Sequence, residues 1–262
     1  MSSNAMHVAK TGLNAQQTKM QVIANNLANV NTTGFKRDRA NFETLLYQVS
    51  RPGGDPTSES TNLTSALAVG TGVRVVNTDK LYTQGALADT GNALDVGIDG
   101  SGFFQVLLPD GRIGYTRDGT FSMNQEGTMT TASGYVLQPE IAIPQGASQI
   151  SISNDGIVSV IMPGETAPQE VGQLTLANFA NPRGLEPIGE NFLTETLASG
   201  GPIVSTPQAD GAGKLVQGAL ETSNVNVVQE LVDMIETQRA YEINSKSISA
   251  SDEMLRFLSN KI

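Results

Sequence analysis

The chain has 262 residues, with 26 Asp and Glu against 16 Lys and Arg, a formal net charge of −10 and an estimated pI of 4.6. That balance excludes nucleic acid or an anionic membrane as the main partner, since either demands a basic face. The lack of cysteine and the single histidine, His7, exclude disulfide frameworks, thiol nucleophiles, Ser-His-Asp triads and His/Cys metal clusters, so no cofactor is expected.

Residues 1–34 read as a long helix. Met6, Leu13, Met20 and Leu27 recur every seven residues, with a second row three residues on at Ala9, Gln16, Ile23 and Val30. Such a double row is the seam of a coiled coil. The segment to Thr33 holds Lys10 and Lys19 but no Asp or Glu. Its end is marked by the run from Asn29 to Gly34, whose Asn and Gly residues stop helices through left-handed backbone conformations.

In residues 35–72 a short helix is expected from Phe35 to Tyr47, placing Phe35, Phe42, Leu45 and Leu46 on one face. From Ser50 to about Thr71 the composition shifts to Pro, Gly, Ser and Thr, as in Arg51-Pro52-Gly53-Gly54-Asp55-Pro56. That stretch predicts an extended loop or hairpin, long enough to act as a contact arm.

Eight Phe, five Tyr and no Trp beside 27 Gly and 11 Pro predict a thin core and many turns for the middle of the chain. Residues 73–195 read as an antiparallel β domain, barrel-like or sandwich-like. Period-two runs begin at Val73, Leu94 and Phe103, and further strands are expected at Ile141 to Ile143, Ile150 to Ile152, Ile157 to Ile161 and Leu174 to Leu176. Asp110-Gly111, Asp118-Gly119, Glu126-Gly127 and Ser133-Gly134 are spaced like the turns of a hairpin meander. Residues 196–222, rich in Gly and Pro, read as a flexible return linker.

Residues 223–262 predict a second long helix, opened by a capping box at Asn226 and Gln229. Val227, Met234, Tyr241, Ile248, Leu255 and Ile262 recur every seven residues, but Gln238, Ser245 and Asp252 beside them are polar, so this stripe is one row wide. Glu221 to Ile262 carries seven acidic residues and four Lys or Arg, so the two terminal helices should attract weakly. The fold class is therefore α+β, with a coiled-coil-like terminal pair around an all-β middle. Narrow seams bury little by themselves, which points to helices completed by neighbouring copies.

Chemistry is sparse. The turn aspartates Asp110 and Asp118 leave a secreted hydrolase as a formal alternative, but Asp at Gly turns serves backbone hydrogen bonding. Gly100-Ser101-Gly102 fails as a dinucleotide loop because a strand comes after it, and Arg117-Asp118-Gly119 is an integrin-type tripeptide only in composition. No stretch approaches 18 apolar residues and the start lacks a basic and then apolar leader, so neither direct membrane insertion nor a cleaved signal peptide is expected.

Three regions carry a resemblance. Ala24-Asn25-Asn26-Leu27-Ala28-Asn29-Val30-Asn31-Thr32-Thr33-Gly34-Phe35-Lys36-Arg37 resembles the signature of bacterial flagellar rod and hook proteins. Glu221-Thr222-Ser223-Asn224-Val225-Asn226-Val227, with Glu230 to Ile235 and Gln238 to Glu242 behind it, is similar to that family's C-terminal motif. Gly102 to Val106 and Tyr115 to Phe121 resemble its middle. Within the family, Tyr47, Arg51, Pro52, Gly53, Gly54 and Pro56 are similar to the insertion of a rod member whose tube is straight and rigid, which bending hook members lack.

The resemblance implies a non-enzymatic axial subunit that polymerises helically in the flagellar basal body, spanning the periplasm. Proximal rod and hook subunits are its close alternatives. Implied partners are further copies of itself, other rod proteins, hook protein, the surrounding P and L ring proteins, a rod cap and the type III export apparatus. Phe42 and Leu46 resemble the short element with which such subunits dock at the export gate.

Overall fold

The computed structural model describes residues 2–52, 56–58, 61–62, 64–164 and 167–259. They form two compact units, one of residues 1–28, 38–79 and 226–262, the other of residues 29–37 and 80–225. Two long helices, α1 (Ser2–Ala28) and α2 (Val227–Ser259), flank a region of mostly antiparallel strands. No helix among the described residues is long and apolar enough to cross a membrane.

In the first unit α1 and α2 lie antiparallel. Gly12 of α1 lies beside Asn244 of α2, where an added Cβ would sit 3.1 Å from the Asn244 amide nitrogen, while Asn26 meets Glu230 further along. The start of α2 is capped by Asn226, whose Oδ1 accepts from the backbone N–H groups of Val228 (3.1 Å) and Gln229 (3.2 Å). The Gln229 side chain turns forward to Asp233 Oδ1 at 3.2 Å, so the cap is an asparagine cap and not the reciprocal box.

The helix expected from Phe35 to Tyr47 is instead a strand, Asp38–Thr44, paired with Val73–Lys80. Polar cross-strand pairs explain the choice. Arg39 reaches Asp79 at 3.3 Å, Asn41 donates to Asn77 and Asp79 at 2.9 Å each, and Arg74 reaches Glu43 at 2.6 Å. This ladder of complementary partners is available only in the extended form and outweighs a short helical apolar pattern. Beyond it the chain forms a long hairpin, with Tyr47–Arg51 against Leu67–Gly70 and Pro56–Ser58 against Thr61–Asn62.

The second unit is built on a seven-stranded antiparallel sheet in the spatial order Phe121–Met123, Met129–Thr131, Val136–Gln138, Phe104–Leu107, Ile113–Thr116, Phe192–Thr194, Glu186–Gly189. Adjacent Phe103 and Phe104 serve opposite faces, as strand alternation requires. Phe104 packs with Val96, Val106 and Met129 in the larger core, and Phe103 with Tyr115, Phe179 and Leu193 in a smaller one. The Asp110-Gly111, Glu126-Gly127 and Ser133-Gly134 turns close hairpins between paired strands.

Asp118-Gly119 differs, because the strands on either side of it pair elsewhere. It is a corner, where Asp118 Oδ1 accepts from Thr120 N (3.0 Å) and Gly119 lies directly against the Val96 carbonyl, where a Cβ would not fit. Ile141 to Ile143 forms no strand; both isoleucines are buried and Ala142 makes a single bridge to Thr128.

Nor is residues 196–222 a linker. Ile203–Ser205 pairs with Leu176–Asn178, Lys214–Gln217 with Val96–Asp99, and Ala219–Glu221 with Leu87–Asp89. Leu215 is fully buried opposite Ile98. Each of these strands offers only two adjacent apolar residues beside a Gly or Pro, too short a run to signal a strand in the sequence.

Candidate assembly surface

The seam residues named from periodicity are distributed unevenly on the helix pair. On α1 the second row carries the burial: Ala9 and Ile23 are buried, as is Ala15, while Met6, Leu13, Met20 and Leu27 are half-buried. Val30 lies past the helix end, in the turn beyond it. On α2 the row facing inward is polar, consisting of buried Glu230 and Thr237 followed by Asn244 and Ser251, again seven residues apart.

Met234 and Ile248 flank that row half-buried, whereas Val227 and Tyr241 are each 38% exposed. Leu255 belongs to α2, with its side chain outside the described residues, and Gly53, Gly54 and Ile262 also lie outside them. A different apolar stripe lies open near the start of α2. Val228 (71%), Leu231 (43%), Val232 (45%) and Ile235 (51%) follow helical spacing and face away from α1.

A buried amide pins the pair. Asn26 Nδ2 donates to Glu230 Oε2 at 3.2 Å and to the Asp38 carbonyl at 2.9 Å, and its Oδ1 accepts from Asp38 N at 2.8 Å. A polar contact inside a helix pair fixes register, because any slip leaves its groups without partners. Apolar periodicity does not reveal it, although Glu230, Thr237, Asn244 and Ser251 recur every seven residues in the sequence.

The hairpin arm is apolar on open surface. Tyr47 (59%), Val49 (55%), Leu67 (54%) and Val69 (51%) are exposed, and Arg51 and Pro52 are exposed as well; Pro56 begins the outer strand pair. An isolated two-stranded hairpin is marginal in water, so these side chains need a surface to cover them. The base of the hairpin and the helix pair enclose an open groove of about 810 Å³ lined by Val8, Ala9, Gly12, Val69, Gly70 and Asn244 among others. Phe42 is 40% exposed on its strand and Leu46 is 88% exposed just beyond it.

The second unit holds a buried ionic clasp that the sequence did not disclose. Glu221 Oε1 accepts from Lys36 Nζ at 2.5 Å and from Gly85 N at 2.9 Å, and its Oε2 faces Arg117 Nη1 at 3.4 Å. Lys36 also donates to the Thr83 carbonyl (2.9 Å) and Arg117 Nη2 to the Gly100 carbonyl (2.8 Å). The Lys36 and Arg117 side chains are 3% and 6% exposed, and that of Glu221 is fully buried. Burial pulls Lys36 below the usual lysine range, and the hydrogen bond and charge of Glu221 pull it back.

Gly34 shows how closely the parts approach. It has φ +67°, its N–H donates to the Glu221 carbonyl at 2.7 Å, and an added Cβ would lie 2.7 Å from the Arg117 carbonyl carbon. With Arg117 buried, the tripeptide it begins is not displayed for recognition. Asp110 Oδ2 accepts from Arg112 Nε at 2.6 Å and Asp118 is bound to Thr120, so each aspartate is answered by its own turn.

Residues 6–36 match the family described as flagella basal body rod protein, residues 97–160 the flagellar hook protein FlgE/F/G D1 domain, and residues 216–261 the flagellar basal body rod FlgEFG protein C-terminal family. The flagellar basal-body rod protein FlgG of Buchnera aphidicola subsp. Acyrthosiphon pisum is 56% identical over 97% of this chain and 98% of its own length. This chain belongs to the flagellar basal-body rod protein family.

Within that family, two relatives from Caulobacter vibrioides separate the members. Its FlgG is 46% identical over 96% of this chain and its FlgF 32% over 97%, so the likeness is to FlgG. The clasp takes one residue from each matched segment of the rod family: Lys36, Arg117 and Glu221.

Proposed function

We propose that this chain is the distal-rod subunit of the flagellar basal body, polymerising helically into a rigid shaft that carries motor torque across the periplasm to the hook. The observation that carries this reading is the end-to-end similarity to FlgG rod proteins, well above that to FlgF of the same organism. The terminal helices act as a coiled-coil-like pair whose α2 stripe packs on further copies, and the arm braces neighbours. Its partners are then other rod proteins, hook protein, the P and L ring proteins and the rod cap. It does no catalysis, and it reaches its place through the type III export apparatus without losing a signal peptide.

Electron microscopy of basal bodies from a strain lacking the gene tests the reading. A rod stopping short of the outer rings, with no hook, is the expected result, and a complete rod lacking only the hook would make this a hook subunit. Restoring a chain without residues 52–64 should give a folded, exported subunit and a rod of altered stiffness; a rod of normal shape and stiffness would remove the arm from this account. For the export element, the exposure of Phe42 and Leu46 supports access by another protein. Phe42→Ala is expected to lower secretion, and undiminished secretion would return Phe42 to packing alone.

A further inference from the structure

The groove of the first unit, between the helix pair and the base of the arm, has walls that are pinned to one another. Thr11 Oγ1 of α1 donates to the Val8 carbonyl at 2.7 Å and accepts from Val73 N at 3.3 Å. Gly72, at φ +125°, approaches Thr11 so closely that a Cβ there would not fit, and Gly12 lies against Asn244 of α2. None of the described residues lining the groove is charged, and its volume of about 810 Å³ is that of a pocket able to enclose most of a ligand. The groove is therefore a preformed acceptor for uncharged, apolar side chains.

The same unit carries a matching donor. Val228, Leu231, Val232 and Ile235 stand at positions i, i+3, i+4 and i+7 of α2, the spacing with which a helix lays an apolar face into a groove. A copy cannot fill its own groove with them, because Asn244, on the row of α2 that faces α1, lines the groove while the stripe lies on the other side of the helix. Donor and acceptor at different places on one molecule make a head-to-tail contact, which passes from copy to copy instead of stopping at a pair. Charge favours the approach weakly, since α1 carries Lys10 and Lys19 and no acid, whereas Asp233, Glu236 and Glu242 outnumber Arg239 on the first half of α2.

We infer that the groove of one copy receives the apolar stripe at the start of α2 of a second copy. This rests on the helical polymerisation proposed above and adds to it the acceptor of the stripe and the direction of the contact.

The full-length chain has no cysteine, so introduced thiols report the contact directly. A disulfide forms only where two Cα atoms come within about 7 Å. One preparation carries Val69→Cys, on the groove wall, and another Ile235→Cys, on the stripe; both positions are exposed, so the fold should be kept. Each is polymerised alone and as an equal mixture, then oxidised. Mixed dimers should form in the polymerised mixture and be at least about tenfold scarcer in either variant alone and in the unpolymerised mixture. A polymerised mixture without mixed dimers, or Ile235→Cys linking to itself as readily, would overturn the groove as the acceptor while leaving polymerisation intact. Failure of the unsubstituted chain to polymerise would instead remove the polymer reading and this inference with it. Val8→Glu places a charge on the groove wall at an exposed position and should leave the unfolding midpoint unchanged while raising the concentration needed for polymerisation about tenfold; polymerisation at the original concentration would also count against the groove.

Discussion

Glu221→Gln is expected to destabilise the sheet unit by about 3–5 kcal/mol, the usual cost of removing one partner from a buried ion pair. The substitution preserves shape and leaves an oxygen for Lys36 or Gly85, so the loss comes from two buried cations without their counter-charge. Burial already disfavours charge on both Lys36 and Arg117, and Glu221 is what offsets this. The measurement is denaturant unfolding followed through the β signal, where a lower midpoint at unchanged slope identifies a change in stability. Pairing the substitution with Lys36→Met should cost less than the sum of the two single changes, since the second removes a charge that the first strands. A loss below about 1 kcal/mol would mean that water reaches the clasp and the pair is worth no more than a surface one.

The clasp also shows why the sequence disclosed so much of the family and so little of its physics. Lys36 and Glu221 are 185 residues apart, and nothing in the spacing of either motif says that they touch. Each lies in a string with a recognisable pattern, so the strings could be read while their meeting place could not. Helices α1 and α2 were legible because a heptad repeats its evidence over many turns, and the hairpin turns because Asp-Gly and Glu-Gly pairs mark them locally. The strand Asp38–Thr44 was not, because what favours it is a set of partners at Asn77, Asp79 and Arg74 that a local pattern omits. The three short strands between Ile203 and Glu221 were hidden in the same way, since Gly and Pro set the composition while Leu215 and Ala219 make the contacts.

On α2 the sequence identified a stripe, and the structure divides the labour between two. The inward row of Glu230, Thr237, Asn244 and Ser251 packs within the chain, while Val228, Leu231, Val232 and Ile235 are exposed, and the proposed assembly assigns them to another copy. This division predicts opposite phenotypes. The double change Leu231→Asp and Ile235→Asp should leave the isolated subunit within about 0.5 kcal/mol of its original stability, as for ordinary surface substitutions. Assembly should fail, because each copy would then place two charges in a desolvated apolar contact with no partner for either. Ile23→Asp should do the reverse to the subunit, since Ile23 is 3% exposed and a carboxylate there disrupts the α1 and α2 pair itself. Sedimentation of purified protein under polymerising conditions, beside circular dichroism of the same samples, separates the two effects. If the double variant still forms rods and restores motility, the open stripe is not the assembly face, and the half-buried flank of Met234 and Ile248 becomes the surface that neighbouring copies must use.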